Sequence, residues 1–230
     1  MKSRSYTELA TPEIQNLLRS NWDTPSEPAD FKKTMYKLGK ALGEACSKKI
    51  KNSNSAKEIC IACTVEDADF LAKGVLEYFT NARPEATVRF ACFWNRKSID
   101  PYGYEKYDIA PVIKEYVEPV QAECILIVVK TVISGGCVVA TNITHLIENL
   151  RPLQIFIVAP LMLENSPRNL EKHFGRSITK RFQYLNFALD KERQSEGPSV
   201  YQRYGWEDEH DKNTATPEIV MERRKALALL

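Results

Sequence analysis

Histidine is scarce in this chain: three among 230 residues, at His145, His173 and His210. None stands at metal-ligand spacing from another. Glycine is also sparse, with 9 residues, and neither Gly-x-Gly-x-x-Gly nor Gly-Lys-Ser/Thr occurs. That excludes the fingerprints of dinucleotide folds and of P-loop nucleotide hydrolases. No apolar run approaches the roughly 20 residues of a membrane span. The N-terminus is polar and lacks the apolar core of a signal peptide, so a cytoplasmic location is expected. Neither sign of charge dominates, with 32 Lys and Arg against 30 Asp and Glu. A net +2 gives no global field toward nucleic acid or a membrane. Internal repeats and low-complexity tracts are absent.

Six cysteines are present, at 46, 60, 63, 92, 124 and 137. Cys60-Ile61-Ala62-Cys63 has the spacing of a redox or zinc pair, but it lies in an apolar, strand-like run. An odd separation in a strand sends two side chains to opposite faces. No second pair follows, so buried reduced thiols are expected and no metal site.

The chain is organised around residues 123–149. Cys124 to Val129 is an unbroken, β-branched-rich apolar run, which reads as a strand buried on both faces. A loop follows, through Thr131, Val132, Ile133, Ser134, Gly135, Gly136 and Cys137. Val139, Ile143, Leu146, Ile147 and Leu150 then recur at helical spacing, and Leu153 to Val158 gives the next strand. Two glycines where strand becomes helix permit positive φ and leave no Cβ in the way of an incoming group. Backbone donors at a helix N-terminus suit a phosphate. The same residues also fit a strand-to-helix turn that binds nothing.

The stretch from Ile125 to Thr141 (ILIVVKTVISGGCVVAT) resembles the phosphoribosyl-diphosphate (PRPP) loop of type I phosphoribosyltransferases, particularly the uracil phosphoribosyltransferase-like branch. The resemblance implies a 5′-phosphate wrapped by Thr131 to Cys137. Ser134, Gly135 and Gly136 match well, and Cys137 stands where the family has Ser or Thr. The acidic residues that hold the ribose and stabilise its developing cation fall at Val129 and Lys130. Valine can do neither, and lysine has the wrong charge, although Lys130 can attract a phosphate. The family's pyrophosphate loop falls at Glu66, Asp67 and Asp69, whose charges repel pyrophosphate. This is a second departure, independent of the first.

Elsewhere, residues 1–55 read as a helical extension. Pro12 opens one helix, and Phe31, Met35, Leu38, Leu42 and Ala45 form the stripe of a longer one. Residues 56–230 read as the α/β domain. Lys57 to Cys63 and Ala86 to Trp94 are strands, and Arg96 and Lys97 follow the second. Ile109 to Val117 is expected to be helical, after a segment bearing Tyr102, Tyr104 and Tyr107. Pro160 marks the end of a strand from Gln154. Ser166-Pro167 opens a helix, Arg181 to Leu189 is a strand, Tyr201 to Trp206 is an aromatic–basic cluster that fits a packed C-terminal loop or, alternatively, base stacking, and a last helix starts near Pro217.

The expected fold is therefore α/β: a mainly parallel central sheet flanked by helices, phosphoribosyltransferase-like, with an N-terminal helical extension. Two functions fit. One is a catalytically degenerate domain that binds a nucleotide or sugar phosphate at Thr131–Cys137 and serves as a regulatory or assembly subunit. The other is an active transferase moving ribose 5-phosphate from PRPP with Mg²⁺ to a nucleobase, with Arg96 or Lys130 stabilising the pyrophosphate. No residue is assigned a catalytic role. The resemblance also implies a homodimer or a place in a larger complex.

Overall fold

The computed structural model describes residues 4–23, 26–50, 58–96, 110–192 and 199–228. The expectations placed on Lys97, Tyr102, Tyr104 and Tyr107 lie outside them. In chain order the elements are β1 (Arg4–Tyr6), α1 (Pro12–Leu18), α2 (Pro28–Lys49), β2 (Glu58–Thr64), α3 (Lys73–Ala82), β3 (Thr87–Asn95), β4 (Val112–Val117), β5 (Ile125–Val129) and β6 (Val132–Ile133). They continue with α4 (Cys137–Ile147), β7 (Gln154–Leu163), α5 (Ser166–Glu171), α6 (Arg176–Thr179), β8 (Phe182–Asp190), α7 (Val200–Arg203), α8 (Glu209–Thr214) and α9 (Glu218–Leu227).

The sheet runs β1-β8-β7-β5-β2-β3-β4, with β6 paired to β7. Strands β2, β3, β5, β7 and β8 are parallel, and antiparallel β1 and β4 close the two edges. All of β2 and β5 is buried, as expected of central parallel strands covered on both faces. One face carries Ile61, Cys63, Phe90, Trp94, Ile127 and Phe156 against α2 and α3. The other carries Cys60, Ala62, Phe93, Leu126 and Ile157 against α4 and Leu170. Cys60 and Cys63 thus lie on opposite faces, and all six cysteines are free thiols.

The stripe read in α2 is buried, and α2 meets α3 unusually closely. A Cβ on Gly39 would lie 2.1 Å from the Leu71 carbonyl oxygen, and one on Gly74 would lie 2.3 Å from that of Tyr36. Full burial of Phe31, Phe79, Phe90 and Trp94 contributes about 1.5–3 kcal/mol for each such side chain.

Three expectations are corrected. The N-terminal segment is not wholly helical: Arg4–Tyr6 pairs with β8, and the Arg4 guanidinium grips Asp190 at 2.7 and 2.9 Å. Val112–Val117 is an edge strand, not a helix. Its apolar residues at 112, 113, 116 and 117 satisfy helical spacing, but Val112–Val117 also sets Tyr116 inward and Glu115 outward, as a strand requires. Finally, β7 runs through Pro160 to Leu163. Up to Val158 it pairs with β5, and from Leu161 with β6. Pro160 falls between these two ladders, where no partner needs its missing N–H.

Helix α3 connects β2 to β3 across one face, and α4 connects β5 to β7 across the other. The winding direction therefore reverses between the neighbours β2 and β5. In open α/β sheets the crevice outside the carboxyl ends at such a reversal is the usual ligand position.

Candidate functional site

The loop after β5 is more tightly held than its sequence suggests. Lys130 N–H still bonds the Val158 carbonyl at 3.0 Å, and Val132 and Ile133 pair with Leu161 and Met162 of β7. Thr131 and Ile133 are buried. The outward part is the turn Ser134-Gly135-Gly136-Cys137, in which Gly135 is exposed and Ser134 and Cys137 half-buried. Ser166, at the start of α5, reaches the carbonyl oxygens of Ile133 and Ser134, each at 2.7 Å. Gly136 caps α4 at φ +89°, a conformation that favours glycine. The first bond of α4 runs from Ala140 N–H to Gly136 at 2.8 Å. The N–H groups of Cys137, Val138 and Val139 precede it at the positive end of the helix dipole. A groove of about 770 Å³ continues from Cys137 between α4 and β4, past Thr141, Ile113 and the His145–Glu115 pair.

Beside the turn, at the reversal, the two departures from the phosphoribosyltransferase pattern meet. Lys130 Nζ donates to Glu66 Oε1 at 2.6 Å, to Asp67 Oδ2 at 2.9 Å and to Thr64 Oγ1 at 3.0 Å. Asp67 is fully buried. Its Oδ1 accepts Thr131 N–H at 3.0 Å and the Thr131 hydroxyl, and its Oδ2 accepts the Thr64 hydroxyl at 2.7 Å. Thr131 Oγ1 lies 2.8 Å from the Tyr204 hydroxyl, whose ring stacks on Phe70 at 5.4 Å. Short turns at Val65–Asp67 and Ala68–Ala72 bring both carboxylates over the end of β5.

The electrostatics follow from this packing. Burial disfavours the charge on Glu66, but Lys130, and Lys212 after it, outweigh burial and hold its carboxyl at about 2. Burial likewise opposes the charge on Lys130, while Asp67 and Glu66 more than offset it and raise its pKa. Burial first, and Asp67 second, push the Tyr204 hydroxyl well up. Lys130 is therefore a cation already committed to two anions.

A second polar cluster lies at the end of β3. Asn95 and Asn142 exchange amide hydrogen bonds at 2.8 and 3.1 Å, and Asn95 Nδ2 also reaches the Ala110 carbonyl at 3.0 Å. Arg96 follows Asn95; its backbone N–H meets Pro111 and its side chain is exposed. The structure thus gathers Lys130 and Thr131 into an inward network, buries Gly136 against Leu170, and leaves Ser134, Gly135 and Cys137 as the outward part of the turn. The sequence reading missed that Glu66 and Asp67 are partners of Lys130, and it missed Tyr204. One signal was available: opposite charges had changed places at the ends of two strands, and such strands can lie side by side.

A scan of protein-family profiles gives no match, and a search of curated proteins gives none either. Among solved structures, the AQ2163 protein from Aquifex aeolicus is similar at a TM-score of 0.58 and 15% identity, over 78% of this chain and 85% of that one. A Leishmania (L. donovani) hypoxanthine-guanine phosphoribosyltransferase aligns at 0.45 and 9%, over 68% and 77%. A Neisseria gonorrhoeae protein with bound ppGpp aligns at 0.40 and 11%, over 66% and 77%. At such identities the likeness concerns the fold: a central sheet flanked by helices.

Proposed function

We propose that this chain is a phosphoribosyltransferase-fold protein that holds the phosphate of a nucleotide or sugar phosphate at Ser134–Cys137 and does not transfer the sugar. In this reading it acts in the cytoplasm as a regulatory or assembly subunit, as a homodimer or within a larger complex. The single observation that carries the reading is the ion cluster of Lys130 with Glu66 and Asp67. Transfer from PRPP needs anionic groups facing the sugar and a pyrophosphate loop free of negative charge. Here a lysine stands at the first place and carboxylates at the second, and they satisfy each other.

Magnesium fits poorly. Both Asp67 oxygens and Glu66 Oε1 are already hydrogen-bonded, and an ammonium stands among them. A divalent cation would have to displace Lys130 before it could use these oxygens. The turn is different: Gly135 is exposed with open space around it, and three α4 N–H groups lie at the helix start without an intrahelical partner. No described helix is long and apolar enough to cross a membrane.

Gly135→Val tests the phosphate site cleanly. A Cβ at Gly135 would meet nothing within 4 Å, so added bulk fills the cradle and spares the fold. Calorimetric titration with inorganic phosphate and adenosine 5′-monophosphate (AMP) should show binding to the wild type, weakened at least tenfold in this variant. Absence of binding, or equal binding by both proteins, would contradict the site.

A further inference from the structure

The crevice at the β2–β5 reversal is covered by one continuous piece of the chain's own C-terminal region. Tyr204, at the end of α7, is buried and bonded to Thr131. Gly205 follows at φ +90°, a pivot that a residue with a side chain rarely supplies. Helix α8 then crosses above Val65–Asp67 and brings Lys212 to the end of β3, where its Nζ lies 3.4 Å from the Asn95 carbonyl oxygen. Next, the Ala215 carbonyl accepts Trp94 Nε1–H at 2.8 Å. The far anchor is Asp69, which accepts the N–H groups of Glu218 and Ile219 at 3.0 and 2.9 Å.

Residues 205–216 therefore form a strap fixed at both ends and lying across the ends of β2 and β3. Its middle is weakly built. Helix α8 has six residues, too few to be stable alone. Lys212 is 7% exposed, and its bonds to Asn95 and Glu209 are both 3.4 Å long. With hydrogen bonds this long, its hold on the strap rests on charge attraction to Glu66 and Glu209, so this is where the cover parts most easily once that attraction is removed.

We propose that the strap is an autoinhibitory contact: closed, it lets a bare phosphate reach Ser134–Cys137 but keeps the body of a phosphate ester out of the crevice over the ends of β2 and β3, the usual ligand position in such sheets, and leaves it only the groove between α4 and β4. Lys212 is the latch. This inference rests on the phosphate-holding reading above, and the two are separable because inorganic phosphate needs only the turn.

The test is Lys212→Glu, which sets a carboxylate against Glu66 and Glu209 and opens the strap without touching the turn. Hydrogen exchange in 206–216 should rise at least tenfold. Calorimetry should show AMP bound at least tenfold more tightly, with inorganic phosphate unchanged. In the wild type, which needs no variant to fold, saturating AMP should raise exchange in 206–216 and inorganic phosphate should not. Phosphate binding with AMP affinity unchanged in the opened variant, or no exchange response to AMP, overturns the strap alone. If no phosphate binds to either protein, the turn is not a site and the strap has nothing to guard.

Discussion

Lys130 Nζ lies 2.6 Å from Glu66 Oε1, although the two residues are 64 positions apart. They stand at the carboxyl ends of β5 and β2, neighbours in the sheet. Each residue alone looks like the loss of a catalytic feature. Together with Asp67 they are one exchange of charge, complete within itself. A lysine that has lost its partners would be an isolated buried cation, and the carboxylates without lysine would be a like-charged pair.

Lys130→Met should therefore destabilise the protein by about 3–5 kcal/mol, the usual cost of leaving buried charge unpaired. Adding Glu66→Gln should recover part of that loss, so the double variant costs less than the sum of the singles. Urea unfolding of the four proteins in the cycle checks this. Strict additivity, or a cost below about 1 kcal/mol for Lys130→Met, would mean the cluster does not hold the two loops together.

Acid should expose the same cluster. Glu66 is held at about 2 against an ordinary 4.5, so between those values the unfolded chain binds the extra proton. Its contribution is fully present above about 4.5 and is lost as pH falls toward 2. A shift of that size corresponds to about 3 kcal/mol at most. Lys130, whose pKa is raised, keeps its full contribution below its ordinary 10.5 and loses it as pH climbs from there through the raised value. Between pH 5 and 9 neither group should change stability. Urea midpoints from pH 6 to pH 2.5 should fall more steeply for the wild type than for Glu66→Gln. Parallel curves would contradict the assignment.

Much of the fold was legible because its strongest signals are local. The apolar run before Val129 and the spacing of Val139, Ile143 and Leu146 lie in one stretch, and they form β5 and α4 as read. Val112–Val117 misled because its apolar residues fit two periods, and only pairing with β3 decides between them. The site was half legible. Gly135 and Gly136 announce a turn by composition. The inward-facing half depends on strand order, which sets Asp67 over Thr131 and Tyr204 against Thr131 from 73 residues further on. No window of sequence contains those contacts.

The central claim is that the phosphate turn persists beside a reaction centre whose charges have been inverted and internally paired. Its most direct test is titration of the wild type with PRPP, with and without magnesium, while released pyrophosphate is assayed in the presence of nucleobases. The account predicts that any PRPP binding is independent of magnesium and that no pyrophosphate appears. Magnesium-dependent binding with base-dependent pyrophosphate release would contradict it.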